Sequence, residues 1–391
     1  MERKRMKEPK FYAQIGYENC GYMPPPLSSK DTYPDYIHEE VMDSVRKIQE
    51  HQNADTVTFA FMTDLHYYTR NENHDIRMKR TLNAYKEIAA RVHIDKLMLG
   101  GDYTNEGCKE YKSECFRELR AQFRGLTYYP VHGNHDDGTI WDWSYLKAEK
   151  SVNHLTHEEL YRLFYNHLPA AGARFDEKNH ALYYYVDDQP TKTRYICLDS
   201  GDIPYVFDEN GKLLYDGQHH FAMGQKQVDW LVKEALHFEE EGWSVLFFLH
   251  SVAIPGKTPE ELGIIRKHMT VFNDILELYV QSGKADCDYY EGYFKVQLEA
   301  DYTKGIKAEI LGCLVGDYHE DKVFYSPSGI PYILTGNCVM YHSANAVNKR
   351  NDGDKTELLF DIMTVNKEEK RFYITRVGVG EDRIVECLLL G

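Results

Sequence analysis

Five short stretches of this chain place carboxylates, imidazoles or an amide directly after an apolar run. They are TDLHYY, with Asp64 and His66; GGDYTNEG, with Asp102; HGNHDDG, with Asn134, His135 and Asp136; FLHSV, with His250; and GCLVGDYHED, with Asp317 and His319. Each residue alone has an ordinary reading. An Asp after a strand commonly fixes a turn or caps a helix, and a lone His there commonly packs or hydrogen-bonds. Five such coincidences at equivalent places fit that ordinary reading poorly. The neighbouring Gly100, Gly101, Gly133 and Gly316 permit tight turns and close backbone approach. A mixture of carboxylate, imidazole and amide oxygen suits Mn, Fe or Zn, and the lack of thiolates argues against a structural zinc site.

The elements that must position these groups alternate. Apolar runs at 56–63, 95–100, 126–132, 243–250 and 308–316 read as strands. Between and around them, 75–93, 108–124, 224–238 and most of 259–282 read as helices. This alternation predicts an α/β fold built from βαβ units with a largely parallel sheet. Open α/β sheets bind ligands beyond the carboxyl ends of their strands, where all five stretches fall. Residues 1–54 read as an extension: a Pro-rich connector, then a helix over 34–52 with Ile37, Val41, Val45 and Ile48 on one stripe. The rest, 55–391, reads as one domain. Within it, about 139–225 breaks the rhythm as an insertion with a short helix (156–168) and a hairpin-like stretch (181–200). From about 331 onward the chain turns β-rich, and 356–377 reads as an antiparallel hairpin expected to complete a sheet edge.

Composition narrows the partners. The chain has 391 residues, 42% hydrophobic and 28% charged, with a net charge of −16. That surface repels nucleic acid and anionic membranes at long range, so neither is an expected partner. No apolar run is long enough to cross a bilayer. The basic N-terminus has no apolar stretch behind it, so no secretory leader is read and a cytoplasmic location is expected. The eight cysteines are scattered, which predicts free, mostly buried thiols.

The ordered set D-x-H, GD, GNHD, a lone His and a terminal G-x-x-H turn resembles the calcineurin-like metallophosphoesterase superfamily, over roughly Thr56 to Asp321. The resemblance implies mixed β-sheets flanked by helices around a β-sandwich core, with the insertion following GNHD. It implies two divalent transition-metal ions, Mn, Fe or Zn, with Mn or Fe favoured. Asp64, His66 and His319 would bind the first, Asp102 would bridge, and Asn134 and His250 would bind the second. His135 matches the catalytic histidine, which protonates the leaving oxygen or stabilises charge there. Asn105 stands where the phosphoprotein phosphatases of the superfamily carry an Asp that orients this histidine. Asp317 stands where the family usually has a histidine for the second metal. It either ligates as a third carboxylate, favouring Mn over Zn, or leaves that metal weakly held. The implied activity is hydrolysis of a phosphate mono- or diester, in a small phosphorylated substrate, by a metal-bridging hydroxide. A nuclease, a pyrophosphatase and a metal-binding protein without turnover are the competing readings. Around the site, His132 reads as packing or as support for the motif, Asp136 as a turn residue, and His74, His219 and His220 as surface. Trp141, Trp143, Tyr183, Tyr184 and Tyr185 read as core, or as a roof over the site.

Overall fold

The computed structural model describes residues 33–69, 72–105, 107–140, 154–176, 181–338 and 350–388. Among them are β1 (Thr56–Met62), β2 (Lys96–Leu99), β3 (Tyr129–Pro130), β4 (Arg174–Phe175), β5 (Tyr184–Asp188), β6 (Thr193–Cys197), β7 (Ser244–Leu249) and β8 (Lys284–Tyr289). They continue with β9 (Val296–Asp301), β10 (Glu309–Val315), β11 (Lys322–Tyr325), β12 (Pro331–Leu334), β13 (Leu359–Asn366), β14 (Arg371–Gly378) and β15 (Arg383–Glu386). The main helices are α1 (Asp35–His51), α2 (Glu72–Ala89), α3 (Lys109–Gln122), α4 (His157–Leu160), α5 (Gln225–Trp230), α6 (Pro259–Arg266) and α7 (Thr270–Val280).

The strands divide between two mixed sheets, ordered β15-β14-β13-β1-β2-β3 and β11-β12-β10-β7-β6-β5-β4, with β8 and β9 as a separate hairpin. The βαβ rhythm is kept as parallel pairs: β1 with β2, β2 with β3, β6 with β7, and β7 with β10. The chemistry-bearing strand ends therefore come from two sheets, not one. β1 shows why its run is apolar throughout. Alternate side chains point to opposite faces of a strand. Phe59 and Phe61 share one face and meet Phe248 of β7 with ring centroids 5.4 and 6.1 Å apart. Both faces of β1 are buried, which is the setting of a near-continuous hydrophobic strand.

The stripe of α1 behaves as its spacing requires. Ile37, Val41, Val45 and Ile48 are buried, each worth about 1.5–3 kcal/mol on burial, and the helix packs on α2 and β14. Gly125 follows α3 at φ +83°, a left-handed turn that ends a helix at low cost in glycine. The C-terminal hairpin of β13 and β14 is antiparallel as expected, and extends the first sheet from β1 outward. Residues 174–197, in the stretch that breaks the rhythm, add three strands to the second sheet. His74 and His220, expected on the surface, are buried. Tyr184 is buried with its hydroxyl on the Pro130 carbonyl (2.9 Å), and Tyr183 packs on Trp230; both are core residues. Trp141 and Trp143 lie outside the described residues.

Candidate active site

The turns that end β1, β2 and β10 share an unusual backbone. Asp64, His66, Asp102, Asp317 and His319 all have positive φ, between 42° and 63°. A left-handed non-glycine residue costs about 1–2 kcal/mol. Five of the nine such residues among those described fall in these turns, and strain of this kind is concentrated where side chains must be aimed. The first two turns are zipped together. The Asp64 amide donates to the Gly101 carbonyl (3.0 Å) and the His66 amide to the Asp102 carbonyl (2.8 Å). Gly133 lies against this pair so closely that a Cβ there would collide with the Asp102 backbone nitrogen.

The side chains converge from both sheets. His66 Nε2 and His319 Nε2 face each other at 3.2 Å. Asp64 Oδ1 lies 3.0 Å from His319 Nε2, and Asp102 Oδ2 lies 3.6 Å from His66 Nε2. On the other side, His250 Nε2 is 3.2 Å from Asp102 Oδ1 and 2.9 Å from Asn134 Oδ1. His250 Nδ1 is fixed by the Gly100 carbonyl at 2.8 Å, which sets its Nε2 toward the centre. His135 sits at the edge, 19% exposed, with Nε2 3.8 Å from Asp102 Oδ2. Its backbone amide donates to Asp102 Oδ1 (2.9 Å).

Burial raises the Asp102 carboxyl, but the imidazoles of His250, His135 and His66 outweigh it and hold the group well below the carboxylate range. Burial likewise opposes ionisation of Asp64, and His319 overcomes it, so this carboxyl also lies low. Burial takes His66 down to about 4, against the pull of Asp102. The result is two buried carboxylates beside one imidazole lowered by burial and two, His250 and His319, raised against burial by Asp102 and Asp64. Three overlapping groups, Asp64/His66/His319, Asp64/Asp102/His250 and His66/Asp102/His135, each bring their ligand atoms within 4.8 Å. Buried anions require a compensating cation, and this oxygen and imidazole set fits divalent ions.

Two residues picked out in the sequence are placed differently. The Asp317 carboxylate turns aside. Its Oδ2 accepts from Ser251 Oγ (2.6 Å) and Arg266 Nη2 (2.5 Å), and only its backbone amide reaches Asp64 (3.2 Å). Asn105 makes no side-chain hydrogen bond to His135 among the described residues. Its carbonyl instead accepts from Lys112 Nζ at 2.5 Å. Lys112 was not legible as a site residue. This buried ammonium on α3 also binds the Thr104 hydroxyl (3.1 Å) and the His135 carbonyl. Asp136 does fix the turn: its carboxylate takes the amides of Gly133, Tyr103 and Thr104 at 2.8–3.1 Å. His132 is buried and supports the same loop through Asp199.

The calcineurin-like phosphoesterase family matches residues 57–261, just over half of the chain. The chain belongs to that family. As a calcineurin-like phosphoesterase it carries His and Asp groups clustered closely enough to hold metal. No curated protein matches it in sequence. Among solved structures, the NAD nucleotidase of Haemophilus influenzae is similar at 12% identity and a TM-score of 0.36, over 86% of this chain and 54% of that one. The chain thus spans about half of that nucleotidase. A protein serine/threonine phosphatase from Saccharomyces cerevisiae is similar at 9% identity and a TM-score of 0.31, over 89% of this chain and 90% of that one. No helix among the described residues is long and apolar enough to cross a membrane.

Proposed function

We propose that this calcineurin-like phosphoesterase hydrolyses a phosphate mono- or diester in a small phosphorylated molecule, with two divalent transition-metal ions, Mn, Fe or Zn. The observation that carries this reading is the meeting of Asp64, His66 and Asp102 from one sheet with His250 and His319 from the other around one buried centre. Asp64, His66 and His319 would hold one ion, Asn134 and His250 the other, and Asp102 would face both. Bound there, the ions would supply a nucleophilic water at neutral pH and neutralise phosphoryl charge. The protein's own groups do the rest. Asp102 holds the His135 backbone through its amide, so the imidazole is aimed from the same carboxylate that organises the centre. Being the most exposed of these histidines, His135 can meet a substrate entering from solvent and hand a proton to its leaving oxygen. Lys112 holds the loops of Asn105 and His135 in register. With Asp317 engaged by Arg266, the second ion keeps one protein ligand fewer and is the more weakly held. The net charge of −16 favours a small substrate over a nucleic acid.

The test is a panel of aryl phosphate mono- and diesters, assayed with Mn, Fe, Zn and Mg in turn alongside metal analysis. Turnover that follows metal content supports the reading. Full metal occupancy with no turnover on any ester would instead favour a metal-binding protein, the reading to which the Asp317–Arg266 pair lends weight.

A further inference from the structure

A second group of ligand side chains shares no residue with the centre above. His132 follows β3, Asp199 follows β6, and His157 is the first residue of α4. His132 and Asp199 are 2% and 1% exposed, and their Nδ1 and Oδ1 atoms are 2.9 Å apart. His157, 24% exposed, turns Nε2 toward Asp199 Oδ2 at 3.7 Å. The two imidazoles meet edge to face, with centroids 5.6 Å apart and planes at 77°. One nitrogen from each ring and one carboxylate oxygen lie within 4.8 Å of one another.

The group is held in place from outside. The Gly201 amide donates to Asp199 Oδ1 (2.8 Å) and Gln227 Oε1 accepts from the Asp199 amide (2.8 Å). A Cβ at Gly201 would stand 2.8 Å from His132 Nδ1, so only glycine lets this backbone close on the ring. His157 is set by a capping box: the Thr156 hydroxyl accepts from the Glu159 amide (3.3 Å) and Glu159 Oε2 accepts from the Thr156 amide (3.0 Å). Nε2 of His157, which faces Asp199, is buried without a hydrogen-bond partner, which a folded protein seldom tolerates unless something else engages the atom.

We propose that His132, His157 and Asp199 form a separate binding site for a single divalent cation of the zinc class. Two imidazoles and one carboxylate are three protein ligands of the type zinc takes, with a fourth position left for water. Ligand atoms around a tetrahedral zinc are about 3.3 Å apart, given bonds of about 2.0–2.1 Å, so His132 and Asp199, at 2.9 Å, open slightly on binding and His157, at 3.7 Å from Asp199, draws in. The ion ties the end of β3, the turn after β6 and the start of α4 together. It thereby props the loop that continues into Asn134 and His135.

The full chain, loaded with zinc, is crystallised and its anomalous scattering recorded at the zinc edge, with elemental analysis in solution. The expected result is a peak among His132, His157 and Asp199 that is lost in His157→Ala and Asp199→Asn but kept in His319→Ala, with one zinc equivalent fewer in the first two variants. No peak there in the unmodified protein overturns the proposal and leaves a buried His–Asp ion pair only, whether or not the variants fold. Failure of the phosphoesterase reading would appear as missing ester turnover, which this zinc count does not depend on.

Discussion

His135 is the residue on which turnover should depend without metal depending on it. His135→Ala is expected to lower kcat by roughly 10²–10⁴-fold, the usual contribution of a positioned proton donor, while metal content is unchanged; steady-state kinetics and elemental analysis check both halves. Asp317 carries the complementary expectation. Asp317→His removes the partner of Arg266 and returns an imidazole to the second-ion side, so the affinity for a second equivalent of Mn should rise, as followed by metal titration against a chelator. An unchanged titration would mean that Asp317 has no influence on that ion. The residues at this site stood out in the sequence because each follows an apolar run that reads as a strand. The Asp317–Arg266 pair was not, because its members stand 51 positions apart and an ion pair leaves no spacing signal. The same holds for His132 and Asp199, 67 apart.

At the scale of elements, α3 is more than a crossover between β2 and β3. Its Lys112 satisfies two backbone carbonyls and a hydroxyl in the loops that bear Asp102 and His135. Lys112→Met keeps the side-chain bulk and leaves those acceptors buried and unpaired, at about 1–3 kcal/mol. Chemical denaturation should show that loss, and kcat should fall with it because the loops relax; full activity in a destabilised variant would separate the two roles. Helices and strands with an apolar stripe were legible from periodicity, as α1 and β1 show. Sheet membership was not, since β1 and β7 read alike as apolar runs although they lie in different sheets. The β8–β9 hairpin escaped because KADCDY in β8 is largely exposed and offers no apolar face, although β9 alternates buried Val296, Leu298 and Ala300 with exposed neighbours. β3 is confined to Tyr129–Pro130, far less than the apolar run from 126 to 132, because proline cannot donate to a ladder.

Across the whole molecule, the two sheets are locked at the site by a buried ionic network. Asp361 of β13 accepts from Arg376 Nε (2.7 Å), Arg383 Nη2 (2.8 Å) and the Thr335 hydroxyl. Arg376 in turn grips Asp321, just past His319, with both terminal nitrogens at 2.7 and 2.9 Å. Burial opposes the charge on Asp361, and Arg376 and Arg383 outweigh it, so its folded-state pKa lies below the ordinary 3.8. A depressed carboxyl contributes stability that is complete above its unfolded pKa and lost as pH falls through the folded one. Asp361→Asn should therefore cost about 3 kcal/mol near neutrality, as for other broken buried pairs. That gap from the wild type should narrow only below about pH 4, in denaturation series run at stepped pH. The C-terminal hairpin was readable as a hairpin, but its hold on the His319 turn rests on arginines that pattern alone would leave on a surface. That hold also sets an order in time. Thr58 of β1 touches Thr364 of β13 across 306 positions. At about 5–20 residues per second of synthesis, β1 waits roughly 15–60 s for this neighbour, and the clamp on Asp321 closes after that, once Arg376 has been made. A ribosome-bound chain stopped before residue 359 would carry every residue of the proposed metal set and still lack the strap that closes it, so catalysis should begin only after β13 and β14 have left the exit tunnel.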